Sequence, residues 1–125
     1  MKIHRINAGV RWSDITVYNR TAYFVEVPDA DLAADIRAQA EQVLGQAESS
    51  LARIGSNKNQ LLSATIYLTD FDNLAGLNEV WDAWFDGNTA PSRACVNAQL
   101  ADPRYLIEIA FVAVAGESFD FPETN

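Results

Sequence analysis

Residues 31–54 set the first condition on the fold. Their larger apolar side chains, Leu32, Ile36, Val43, Leu44, Leu51 and Ile54, together with Ala40 and Ala47, recur at steps of three, four and seven. That is the period of one amphipathic helix. Such a stripe needs a second apolar layer to bury it. The spacing predicts a helix over residues 31–54. Asp29 or Asp31 can cap its start by accepting from an orphan amide, and Gly55 can adopt the left-handed conformation that ends it.

The matching layer comes from runs with period two. "DITVY" and "TAYFVEV", separated by "NR" and closed by Pro28 and Asp29, read as a hairpin. "LLSATIYLT" alternates Leu62, Ala64, Ile66 and Leu68 against Leu61, Ser63, Thr65 and Tyr67 and fits a strand. "DFDN" then offers caps to a second helix with the stripe Leu74, Leu77, Val80, Trp81, Trp84 and Phe85, terminated at Gly87. Two more strands are expected over residues 92–98 and 105–115, joined by a turn at Asp102 and Pro103.

The order β-β-α-β-α-β-β, with room for a further N-terminal strand, predicts one α+β domain over residues 1–116 and a polar tail over residues 117–125. Both helices should pack on one face of the sheet. Tyr67, Tyr105, Ile107, Ile109 and Phe111 are expected on the other face. That area exceeds what a monomer usually exposes, which points to association as a closed ring or two-fold dimer.

Seventeen acidic against nine basic residues give a net charge of -8, the wrong sign for a nucleic-acid partner. A small-molecule or protein partner is expected instead. "MKIHRINAGVRW" has no signal-type apolar core, and no run approaches the roughly 18 apolar residues of a membrane span. A cytoplasmic protein without membrane contact is expected. One cysteine and one histidine exclude an internal disulfide and a multi-histidine metal site.

Glu108 is the one charge in "YLIEIAFVAVA" and shares its strand face with Leu106, Ala110, Val112 and Val114. A buried carboxylate needs a partner or becomes neutral. Arg93, on the preceding strand, is the expected partner, and Cys95 projects to the same side as Arg93. A guanidinium fork suits a ligand carboxylate. A buried ion pair with a packing cysteine accounts for the same residues. Asn78 is a pocket hydrogen-bonder or a surface asparagine, and Trp12 lines a pocket or simply packs.

"PSRACV" (91–96), the "IEI" strand holding Glu108 and "LNEVWDAWF" with Asn78 resemble the YjgF/RidA family of reactive-intermediate deaminases, also called endoribonuclease L-PSP. "LLSATIYLTDFDNLAGLNEVWDAWF" and "DLAADIRAQAEQVLGQAESSLARIGS" resemble its YoaB-like branch, and the likeness covers residues 6–116. The resemblance implies a chorismate-mutase-like α+β fold, a homotrimer with pockets between subunits, and cofactor-free hydrolysis of a small carboxylate-bearing enamine or imine to a keto acid and ammonia. Arg93 would bind the carboxylate and Glu108 would position water, with the backbone at Cys95 and the Asn78 side chain near the ligand. A trimeric keto-acid or carboxylate-binding protein without turnover is the alternative. Endoribonuclease activity comes only with the family's other name, and the charge disfavours it.

Two departures accompany the likeness. Trp12 stands where the family has a tyrosine, and Val25, Glu26 and Val27 stand at a serine-glycine-glutamine sequence. A charged residue in place of glycine rules out a close approach or a positive φ, so a reshaped strand end is expected.

Overall fold

The structure, a computed structural model, describes residues 2–116; the polar tail expected at residues 117–125 lies outside the described residues. Eight main elements follow one another: β1 (His4–Ile6), β2 (Ile15–Tyr18), β3 (Thr21–Glu26), α1 (Ile36–Arg53), β4 (Leu61–Leu68), α2 (Leu74–Phe85), β5 (Ser92–Asn97) and β6 (Ile107–Val114). The strands form one six-stranded mixed sheet in the order β1-β2-β3-β6-β4-β5, antiparallel except for the β4–β5 pair. Both helices pack on one face, as the order of elements predicts. No helix among the described residues is long and apolar enough to cross a membrane.

β6 lies in the middle of the sheet and divides its side chains by period two. Ile107, Ile109, Phe111 and Ala113 are buried, while Glu108, Ala110, Val112 and Val114 are half-buried. Ile109 sits opposite Ile66 and Phe111 opposite Ala64, and all four belong to the core under the helices. The expectation that Ile107, Ile109 and Phe111 lie on the uncovered face is therefore wrong. That face carries Tyr67, Glu108, Ala110 and Val112, with Tyr18, Tyr23 and Val25 of the hairpin exposed on it. A register shift between Leu61 and Ser63 also turns Leu61 into the core and leaves Leu62 about half exposed, reversing the alternation expected at the start of β4. An extra residue in a ladder has this effect.

The hairpin turn uses Asn19 and Arg20, both at positive φ (51° and 65°). Two such residues match the right-handed twist of the strands they join. Arg20 is an unusual occupant, and two bonds hold it there. Its Nη2 donates to the Ala115 carbonyl at 2.7 Å, and the Ala115 amide donates to the Arg20 carbonyl at 2.8 Å.

α1 begins at Ile36 rather than near residue 31, and its cap is Asp35 rather than Asp29 or Asp31; the Asp35 carboxylate accepts from the Ala38 amide at 3.0 Å. Asp31 instead closes a turn of its own by accepting from the Ala33 amide at 3.1 Å. The reason lies in Gln39, which is fully buried. Its Nε2 is 3.0 Å from the Arg104 carbonyl and 3.3 Å from those of Leu32 and Ala34, and its Oε1 accepts from the Leu106 amide at 2.8 Å. Carbonyls that a longer helix would use internally are thus spent on a side chain. The same bond takes the Leu106 amide out of the sheet ladder, so β6 starts at Ile107 rather than at residue 105.

α1 ends as expected at Gly55, which has φ 65°. Amides of Gly55 and Ser56 donate back to the carbonyls of Ala52 and Leu51, a paired C-terminal closure that needs a left-handed residue. α2 follows a short 3-10 turn (Phe71–Asn73) capped by Asp70, and ends on left-handed Asp86 followed by Gly87.

Gln39, itself fully buried, serves four backbone groups, of Leu32, Ala34, Arg104 and Leu106. Gln39→Leu is expected to lower the unfolding free energy by about 3 kcal/mol, the scale for orphaning several buried polar groups at once. Urea denaturation measures this, and a loss under about 0.5 kcal/mol, the scale of surface substitutions, would show that the network contributes little.

Candidate functional site

The sequence-predicted site residues divide between the two faces of the sheet. In the parallel β4–β5 pair Arg93 lies opposite Ala64 and Cys95 opposite Ile66, so both project to the helix side, as expected of residues two apart. The Arg93 guanidinium carbon is 5.3 Å from the centre of the Trp81 ring, within cation–π range. Asn78, half-buried, precedes Trp81 by three positions on α2, which puts both on one flank of the helix. Cys95 is half-buried. Burial pushes its thiol pKa up, against the opposing pull of the Arg93 charge and a hydrogen bond from the Val96 backbone, which disfavours a thiolate nucleophile.

Glu108 points the other way. Its register partner on β4 is Tyr67, and among the described residues no hydrogen bond or ion pair reaches its carboxylate. β4 lies between β5 and β6, so Arg93 and Glu108 are neither on neighbouring strands nor on one face. The expected pocket holding guanidinium, thiol and carboxyl together does not form within one protomer. The physical cause is parity: Arg93 aligns with Ala64, whereas Glu108 aligns with Tyr67, three residues further along β4.

A cleft of about 670 Å³ opens beside the hairpin, lined among others by Trp12, Asp14, Val25, Glu26, Gln46 and Arg53. The β2–β3 ladder reaches only to Thr16 opposite Tyr23. Beyond it the ladder does not continue, and the cleft is lined by residues of both sheet faces, Val25 and Ala110 on one and Glu26 on the other. Trp12 is 72% exposed, a wall of this cleft rather than a core residue. Asn7 Nδ2 and Arg53 Nη1 both donate to Asp14 Oδ2, at 3.0 and 3.1 Å. The Asn7 hydrogen bond, with Arg53 assisting, holds the Asp14 carboxyl below its usual range.

Glu26 completes β3 as ordinary extended strand opposite Ile109, so the reshaped strand end expected there is absent. Its side chain reaches α1, where the Ser50 hydroxyl donates to it at 3.1 Å. Desolvation by burial raises its pKa above the carboxylate norm, and the negative charges of Asp14 and Asp29 add to the shift, against the Ser50 and Gln46 hydrogen bonds. Gln46 donates from Nε2 to the Val27 carbonyl at 2.8 Å, while its Oε1 is buried without a partner.

Sequence reasoning missed Gln46 and Ser50 as site residues. A signal existed, because Gln46 follows Val43 and Ser50 follows Ala47 by three positions, which puts both polar residues along the apolar stripe of α1.

A carboxyl whose folded pKa is raised holds its proton more tightly folded than unfolded. Its contribution therefore weakens the fold as pH rises from the unfolded value of about 4.5 through the raised folded value. Glu26→Gln is expected to raise the thermal midpoint at pH 7, and the gain should vanish at pH 4. Differential scanning calorimetry at the two pH values checks the sign; an equal effect at both would contradict it.

The model of the family described as endoribonuclease L-PSP matches residues 2–115. The RutC family protein YoaB of Escherichia coli K12 is 43% identical over 113 residues, covering 90% of this chain and 98% of its own length. A RutC family protein of Haemophilus influenzae is 42% identical over 114 residues, with the same coverage. A member of the YjgF protein family from Neisseria meningitidis has a solved structure that superposes with a TM-score of 0.88 at 35% identity, covering 94% of this chain and 98% of that one. With the mixed sheet, the two helices on one face and a match over nearly the whole domain, the chain belongs to the YjgF/RidA (endoribonuclease L-PSP) family and is YoaB-like.

Proposed function

We propose that this protein is a cofactor-free enamine/imine deaminase, working on small carboxylate-bearing imines in pockets formed between copies of the chain in a homotrimer. One observation carries the reading: Arg93, Cys95 and Asn78 sit on the helix side near the β5 edge, Glu108 sits on the uncovered face, and neither group has its chemical complement in its own protomer. A second copy laid against the uncovered face supplies the missing half. The exposed Tyr18, Tyr23, Val25 and Val96 give that contact an apolar component.

Arg93 grips the substrate carboxylate with two guanidinium N–H groups. The imine carbon is already electrophilic, so the site needs an anchor, a placed water and a proton carrier. Glu108 accepts a proton from water as its oxygen bonds to the imine carbon, and the imine nitrogen takes up a proton to give a carbinolamine. The hydroxyl proton then passes to the nitrogen, the C–N bond breaks, and ammonia leaves a 2-keto acid. Enamine substrates first tautomerise to the imine by protonation at carbon.

Trp12 and the Val25-Glu26-Val27 sequence remove the phenol and hydroxyl of the family pattern, which favours a second reading as a carboxylate-binding protein without turnover. Calorimetric binding of 2-keto acids combined with no release of ammonia would support that one.

Arg93→Ala and Glu108→Gln are each expected to lower kcat/KM for imine hydrolysis at least ~100-fold. Refolding the two variants together should restore activity at about a quarter of the sites, because each pocket then draws its arginine and its glutamate from different chains. Mixed samples as inactive as the separate ones would refute pockets shared between copies.

A further inference from the structure

Resting on the deaminase reading, in which Arg93 grips the substrate carboxylate, we propose that Trp81 is the positioning residue for that arginine. The indole face holds the guanidinium in place and leaves its N–H donors free for the ligand. Arg93 lies on β5, an edge strand of the sheet, and is exposed. Among the described residues no hydrogen bond or ion pair reaches its guanidinium. What lies against it is the Trp81 ring, whose centre is 5.3 Å from the guanidinium carbon. An arginine side chain on an edge strand otherwise samples many rotamers, and ordering it on binding costs affinity.

The kind of partner matters. A carboxylate beside Arg93 would hold it as firmly, but would occupy the N–H fork and offset the charge that a substrate carboxylate has to find. An aromatic face attracts the cation through its quadrupole. It uses none of the guanidinium's N–H donors as a conventional hydrogen bond and leaves the net charge in place. Indole is the strongest of the aromatic side chains in this role.

Trp81 is itself fixed. It is 5% exposed, and Trp84 and Phe85 lie three and four positions further along α2, where side chains meet. Their ring centres are 6.3 and 5.0 Å from that of Trp81, at interplanar angles of 53° and 56°. Trp84 is tied in turn to α1, its Nε1 donating to Glu48 Oε1 at 2.9 Å. Glu48 also meets Lys58 Nζ at 3.3 Å, and that ammonium lies 5.0 Å from the centre of the Trp84 ring. Order thus passes from α1 through two indoles to the edge strand. Asn78, three positions before Trp81, sets the other polar group of the proposed site on the same flank of α2.

Two substitutions of similar size separate the ring from its volume: Trp81→Phe keeps an aromatic face and Trp81→Met does not. Calorimetry with pyruvate on the intact protein should show affinity about tenfold lower in Trp81→Met and within about threefold of native in Trp81→Phe. Kinetics with the 2-imino acid corresponding to pyruvate should show the same rises in KM. kcat should stay within about twofold, because the anchor acts alike in ground and transition states. With the primary amide of that imino acid, which has no carboxylate, the two variants should have equal kcat/KM. Equal losses with acid and amide would mark a merely structural role for Trp81 and overturn the proposal. A measurement on the native protein covers the case in which Trp81→Met fails to fold. The order parameter of the Arg93 Nε–H, assigned with Arg93→Lys, should lie above about 0.6, the level of flexible N–H groups, and a lower value would overturn the proposal. Unchanged pyruvate affinity in folded Trp81→Met, with imine turnover intact, would refute the positioning role and spare the deaminase reading. A tenfold loss of pyruvate affinity in a protein that turns over no imine would support the positioning role and remove the deaminase reading alone. Absence of pyruvate binding to the native protein would overturn Arg93 as an anchor and the role of Trp81 with it.

Discussion

β6 lies at the centre of the sheet, flanked by β3 and β4, and its register with β4 decides what every other element can do. Ile109 against Ile66 and Phe111 against Ala64 commit one set of side chains to the helices. Shifting a strand by one residue would send that whole set to the uncovered face, so the burial of Ile107, Ile109 and Phe111 fixes the orientation of Glu108 as firmly as any contact of its own. The half-buried carboxylate faces away from the helices because its neighbours in sequence must face toward them.

The same parity explains how far the site was legible in the sequence. That Arg93 and Cys95 share a side, and that Glu108 shares one with Ala110 and Val112, follow from alternation within a strand. Whether those two sides coincide depends on which strand lies between β5 and β6 and on the register of each, and neither is a local property. The apolar stripes of both helices, the hairpin at residues 19–20 and the closure at Gly55 were readable because each depends on residues within about one turn of one another. The start of α1 was not, because Gln39 draws the carbonyls of Leu32 and Ala34 away from the helix through contacts that also involve Arg104 and Leu106. The bulge at residues 61–63 escaped for a similar reason: a period-two reading has no means of registering an extra residue.

Polar side chains on the buried stripe of α1 divide into two kinds. Gln39 has its hydrogen-bonding capacity met on both atoms, which makes it a structural tie between two loops and the helix. Gln46 and Ser50 lie further along, where β3 ends and the cleft opens, and their accounts do not close. One Gln46 atom lacks a partner, and Ser50 holds a carboxyl whose desolvation resists ionisation. Incomplete satisfaction of this sort is rare in a native interior, and it tends to mark function rather than stability.

Glu26 shows how a site can change while the fold does not. A glutamate where the family pattern has glycine would distort the chain if the position needed positive φ, yet β3 stays regular there and the side chain is absorbed by α1. The backbone thus imposes no condition on this position, and its identity is free to be set by what occupies the cleft. In the reading proposed above Arg93 and Glu108 meet the reacting end of a substrate, while Trp12, Glu26 and Asp29 line the cleft beside the hairpin.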